Sequence, residues 1–311
     1  MEAPRTIFEP GKNYILLSGW TLHRLNLGPI VQSKSKHLLM NDYQFILMSS
    51  TRNLVSDPTF KDSISNDCVF IGGIEYELDI DTNKLVASHD QATNQEFMTR
   101  GSHSFYTVDS TFRANKWNIL PGARFEIDKI QEITSKNNIK TSSVYGKLAS
   151  EEFFKSLGRS TERMVSPGII HISTHGFFFP DPITSNKIKK GSIENEPVFM
   201  NSPDPMIRSG LIMAGANYTW IKAGPLHNSE DDGILTSFEI SQMDLSNTKL
   251  VVLSACETGL GDIGTTEGVY GLQRAFKIAG VQNILMSLWQ VPDKQTSELM
   301  ELFIKILFII K

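Results

Sequence analysis

Only two cysteines, Cys68 and Cys256, occur in 311 residues, too few for a disulfide framework, so a reducing compartment and a cytoplasmic location are expected. Neither sign of charge is in large excess. A formal net charge of −4 gives the chain no overall attraction to nucleic acid, and no direct nucleic-acid partner is expected. Long apolar runs are missing too. The amino-terminal MEAPRTIFEPGK lacks the hydrophobic segment of a signal peptide, and the greasiest stretch, LFIKILFIIK, is interrupted by Lys305. That stretch falls short of the roughly 20 apolar residues a spanning helix needs, so no membrane partner is expected. No internal repeat is visible, which argues against a helical-repeat array within the chain. What remains is a globular composition, 40% hydrophobic and 21% charged, that argues against disorder.

Residues 1–41 read weakly, and the interpretable chain begins at Asp42. Two apolar runs, Gln44–Ser50 and Cys68–Gly73, suit buried strands, and the turn-rich stretch Asp79–Asn115 reads as loop. Pro121-Gly122 opens a helical pattern over Ala123–Lys136, with Phe125, Ile127, Ile130 and Ile133 on one face. A short helix over Ser150–Leu157 has Ser150 as its N-cap and two glutamates in its first turn.

From Gly168 onward the pattern sharpens. GIIHISTHG reads as a β-branched strand ended by a glycine, and the polar stretch Phe179–Pro205 reads as a mobile insertion. SGLIMAG gives a further strand, followed by a linker and a helix over Thr236–Met243. KLVVLSACE is the strongest strand, and a glycine-rich turn leads to a helix over Glu267–Ala279 that includes Val269 and Leu272. NILMSLW and a last helix from about Pro292 complete the series. Apolar strands alternating with amphipathic helices predict an α/β three-layer sandwich with a mostly parallel sheet.

In such sheets, sites form beyond the carboxyl ends of the strands. His175 ends one strand and Cys256 another, so the two are candidates for base and nucleophile although 81 residues apart. A cysteine following a strand also has a plain reading as core. His171 and His175 do not make a zinc pair: four strand residues span about 13 Å, whereas both ligands must lie about 2.1 Å from one ion. His171 is read as a buried residue, and no metal or other cofactor is expected. Gly259, Gly261 and Gly264 spell G-x-G-x-x-G, but the next strand ends in Gln290 rather than an acid and no P-loop lysine follows. A tight turn explains these glycines better than a nucleotide does. Asp231, Asp232, Glu257 and Glu267 are candidates to bind a basic substrate side chain. The plain alternatives are a solvated turn for the two aspartates and a helix-start charge for Glu267.

The blocks HISTHGFFFPD, RSGLIMAGAN, DDGILTSFEIS, LVVLSACETGLGD, EGVYGLQRAFKIAGVQNILMSLWQVPD and TSELM resemble those of the CHAT domain family, over Gly168 to Met300. Weaker similarity at FIGGIEYEL and LPGARFEIDKI extends the resemblance back to Asp42. CHAT domains are caspase-like and related to separase, and bacterial members are often joined to TPR repeats. The resemblance implies a caspase-like cysteine peptidase with His175 as catalytic histidine, Cys256 as nucleophile, and the N–H groups of Gly176 and Cys256 as oxyanion donors. It also implies a protein substrate, in many relatives cut after a basic residue, and a TPR-containing regulatory partner on a separate chain. Residues 42–115 would form an accessory part and 116–311 the catalytic part. The family pattern continues with a further helix and a closing strand, so a missing edge strand is expected here. An inactive CHAT module used for protein interaction is the alternative, and a nucleotide-binding doubly wound protein the third reading.

Overall fold

Parallel strands buried on both faces need apolar side chains at consecutive positions, and three such runs form the centre of the main sheet. The computed structural model describes residues 13–17, 30–31, 37–48, 67–77, 116–158, 165–179, 202–222, 231–255, 262–264, 268–287 and 291–309. The elements begin with β1 (Asn13–Leu17), α1 (Leu39–Asp42), β2 (Gln44–Met48) and β3 (Cys68–Ile74). Next come α2 (Pro121–Lys136), β4 (Thr141–Gly146), α3 (Glu151–Ser156), β5 (Ile169–Ser173), β6 (Gly176–Phe178) and β7 (Ser209–Ile212). The series continues with α4 (Ala216–Lys222), β8 (Ile234–Thr236), α5 (Ser237–Ser241) and β9 (Leu250–Ser254). It closes with β10 (Asp262–Gly264), β11 (Gly268–Tyr270), α6 (Leu272–Ile278), β12 (Asn283–Met286) and α7 (Asp293–Ile309).

Two units are distinguishable. The smaller, Met1–Lys61 with Asp262–Tyr270, holds the parallel pair β1–β2 and the antiparallel hairpin β10–β11. The larger, Asp62–Gly261 with Gly271–Lys311, holds the remaining strands and helices from β3 onward. Its main sheet is five-stranded and parallel, in the order β12-β9-β5-β3-β4.

Alternation along the central strands sends side chains to two cores. Cys68, Phe70 and Ile169 meet Ile127, Ile130 and Ile304 of α2 and α7. Val69, Ile71, Ile170, Ile172, Val251 and Leu253 belong to the second core, with Phe154 of α3, Ile240 of α5 and Phe276 of α6. Helices therefore cover both faces of the sheet, the three-layer arrangement of a caspase-like sandwich. At Gly72, α2 comes so close that a Cβ would stand 2.6 Å from Ile127 Cγ1. Asp293, the first residue of α7, accepts the Gly122 N–H at 2.5 Å and so ties that helix to the start of α2.

Several elements differ from the sequence expectation. Phe125 is half exposed, and the buried stripe of α2 runs through Ala123, Glu126, Ile127, Ile130 and Ile133 instead. β4 is an edge strand with Val144 as its one buried residue, too polar for its pattern to show. The stretch read as a linker after SGLIMAG contains α4. The helix expected from Glu267 starts only at Leu272, after Gly271, and Val269 lies on β11. The GIIHISTHG strand is two strands: β5 ends at Ser173, and β6 begins at Gly176 in a second, antiparallel sheet ordered β6-β7-β8. Asp79–Asn115 and residues 180–201 lie outside the described residues.

Candidate active site

The strand order reverses beside β3, which pairs with β4 on one side and β5 on the other. A crevice at the carboxyl ends of strands follows from such a reversal. The second residues beyond β3 and β5 meet there. Tyr76 follows β3 and His175 follows β5, and their rings lie 5.2 Å apart. Thr174 spaces them. Its hydroxyl donates to the Ile212 carbonyl, so it must accept from the Tyr76 hydroxyl, 3.1 Å away.

His175 is 5% exposed, with the Trp117 ring 4.9 Å from it on another side. Its Nε2 lies 2.8 Å from the Asn118 carbonyl oxygen. A carbonyl can only accept, so Nε2 carries the proton and, in the neutral ring, Nδ1 carries the lone pair. This acceptor is invisible in the sequence, because a backbone carbonyl has no signature in the residue type.

Gly176 opens the second sheet. His175 C=O accepts from Ile212 N–H at 2.9 Å, and Phe179 N–H donates to Arg208 C=O at 2.8 Å. Alternate rungs of an antiparallel ladder are bonded, so the Gly176–Leu211 rung between them is not. The Gly176 N–H consequently points away from β7, a direction compatible with donation to an oxyanion.

His171 is engaged elsewhere. It is fully buried on β5, with Nε2 2.6 Å from Glu126 Oε1 of α2, and Glu126 Oε2 accepts from the Ser254 hydroxyl at 3.1 Å. A strand histidine and a strand-end serine thus share one helix carboxylate beneath the carboxyl ends of β5 and β9.

Among the sequence-derived acids, Asp231 and Asp232 are described, whereas Cys256, Glu257 and Glu267 lie outside the described residues. Asp231 accepts from Lys155 at 2.8 Å, and Asp232 accepts the Ile234 N–H at 2.9 Å within its own turn. Lys155 also holds Glu151 at 2.5 Å and Glu239 at 2.8 Å. Burial alone would lower the Lys155 ammonium, but Asp231, Glu151 and Glu239 hold it above the usual lysine value. Glu151 accepts the N–H groups of Asp232 and Gly233, each at 2.9 Å. Burial, and next the Glu239 carboxylate, push Glu151 up to about 8 despite Lys155. This cluster fixes the β8–α5 corner, which also carries a capping box between Thr236 and Glu239. A basic substrate group at Asp231 would have to displace Lys155.

Among the described residues, no helix is long and apolar enough to cross a membrane. The family model for the CHAT domain matches residues 14–307, nearly the whole chain. No curated protein matches it.

Proposed function

Because the chain belongs to the CHAT domain family, which is related to caspase-like cysteine peptidases, we propose that it hydrolyses a peptide bond in a protein substrate with Cys256 and His175 as the working pair. The observation that carries this reading is the hydrogen bond from His175 Nε2 to the Asn118 carbonyl, which leaves the Nδ1 lone pair to act as base. The ladder adds support. Ser173 pairs with Ser254, and His175 and Cys256 each follow that rung by two residues.

In the proposed reaction the imidazole takes the thiol proton and the thiolate adds to the scissile carbonyl. The N–H groups of Gly176 and Cys256 hold the negative oxygen of the tetrahedral intermediate. The imidazolium then protonates the leaving amine, the C–N bond breaks, and a thioester remains. Water, deprotonated by the same imidazole, releases the acid and regenerates the thiol.

A non-catalytic interaction module is the second reading, favoured by the exposed Leu299, Leu302 and Ile306 along α7. A peptide-library cleavage profile of the wild-type chain beside Cys256→Ala, with labelling by a thiol-reactive peptide probe, separates the two. Cleavage and labelling that vanish in Cys256→Ala support the peptidase, and the profile reads directly whether a basic residue precedes the cut. A wild-type chain that neither cleaves nor labels refutes it.

A further inference from the structure

We infer that Asn217 is the positioning residue of His175, acting through the backbone of Trp117 and Asn118. Asn217 stands in α4, 1% exposed, and its side chain grips one peptide segment from two directions. Its Oδ1 accepts the Trp117 N–H at 2.8 Å, and its Nδ2 donates to the Trp117 carbonyl at 3.0 Å. The same Nδ2 reaches Glu77 Oε1 at 3.2 Å, and the Asn217 backbone N–H donates to the Tyr76 carbonyl at 3.0 Å.

The bonds to Trp117 and Tyr76 end on residues whose rings pack against the imidazole. The rings of Trp117 and Tyr76 pack against His175, and the carbonyl one residue after Trp117 is the acceptor of its Nε2–H. A primary amide is the side chain that can accept an N–H and donate to a C=O of one residue at once, closing a flat ring of two bonds. The segment 116–120 contains no helix or strand, so its own backbone ladder does not hold the Asn118 carbonyl in place. Without the clamp that carbonyl is released, and the proton of the neutral ring redistributes between Nδ1 and Nε2. The fraction of rings with the lone pair on Nδ1 falls accordingly.

The kinetic half of this inference rests on the peptidase reading, and the tautomer half does not. In the full-length chain with ¹⁵N-labelled histidine, His175 is assigned by its absence in His175→Gln, and the two ring nitrogens report where the proton sits. Wild type is expected to show a single tautomer with the proton on Nε2. Asn217→Ala is expected to show a mixture, with kcat for peptide cleavage lower by about 10- to 100-fold and KM within about threefold. Asn217→Asp keeps the size of the side chain and the bond from the Trp117 N–H but cannot donate to the Trp117 carbonyl, so it repeats the test should the alanine variant not fold. Unchanged tautomer and unchanged kcat in a folded variant overturn the inference. So does failure of both variants to fold, which would make Asn217 a purely structural residue. A wild-type chain that cleaves nothing refutes the peptidase and leaves the ring nitrogens to decide the role of Asn217.

Discussion

Glu126 and His171 meet 2.6 Å apart with neither side chain exposed to water. The pair bridges α2 and β5, and through Ser254 the same carboxylate reaches β9. Three elements below the proposed site are thereby fixed by one buried polar group.

His171→Ala should leave the buried Glu126 carboxylate without its histidine partner. Breaking a buried pair by removing one member costs about 3–5 kcal/mol. In a unit of this size that lowers Tm by roughly 10 °C, at about 2–4 °C per kcal/mol. His171→Gln, which keeps a donor, should recover part of the loss. A melting curve for His171→Ala that overlays wild type would show that the pair contributes nothing.

His175→Ala should lower peptide cleavage by about 10²–10⁴-fold or more, the effect of losing a general acid and base. A residue at a strand end suggests little contribution to the core, but the packing against Tyr76 and Trp117 corrects that expectation. The variant should also melt some degrees lower. Calorimetry and a cleavage assay on the same preparation check both parts, and full cleavage by His175→Ala would remove it from the mechanism.

Cys68 should resist iodoacetamide under conditions that modify Cys256. Burial, with Asp67 nearby, pushes the Cys68 thiol up to about 12, so almost no thiolate is present near neutrality. The raised value also has a stability consequence. Below the unfolded value near 9 the proton is held in both states, and the full stability is present. Between about 9 and 12 only the unfolded chain releases it, so stability falls by about 1.4 kcal/mol per pH unit. Wild type should therefore lose Tm faster above pH 9 than Cys68→Ala does. Parallel alkaline legs in the two proteins would contradict this.

Lys155→Met should destabilise the β8–α5 corner, because Glu151, Glu239 and Asp231 would face one another without their shared cation. The penalty should depend on pH. Glu151 binds its proton more tightly folded than unfolded, so it opposes folding little below about 4.5 and increasingly as pH rises through about 8. Losing the cation sharpens that trend. Denaturant melts should show variant and wild type closest near pH 5 and furthest apart near pH 8; a gap constant over that range would argue against the electrostatic account.

The sequence exposes those parts of the structure whose residues are apolar in a regular period. β3, β5 and β9 are visible because burial on both faces demands unbroken apolar runs. β4 is hidden because an edge strand with a single buried side chain has nothing to repeat. α4 is hidden because seven residues give barely two turns of period. The place of Glu126 is legible in the helical period: it lies three residues after Ala123 and four before Ile130, on the buried stripe. Within the site, His175 is legible as a reactive side chain at a strand end. Its partners are not, because Asn118 acts through a backbone oxygen and Asn217 through a fold contact across 100 residues.

Those separations have a consequence during synthesis. The Asn118 acceptor lies 57 residues before His175, the clamp on Trp117 comes from 100 residues after it, and Cys256 is later still. Pairings of long sequence separation close late in folding. A nascent chain leaving the ribosome presents the histidine before its clamp, and the thiol after both. On the peptidase reading, the order of translation itself keeps the emerging polypeptide silent toward its neighbours until the chain has been made past β9.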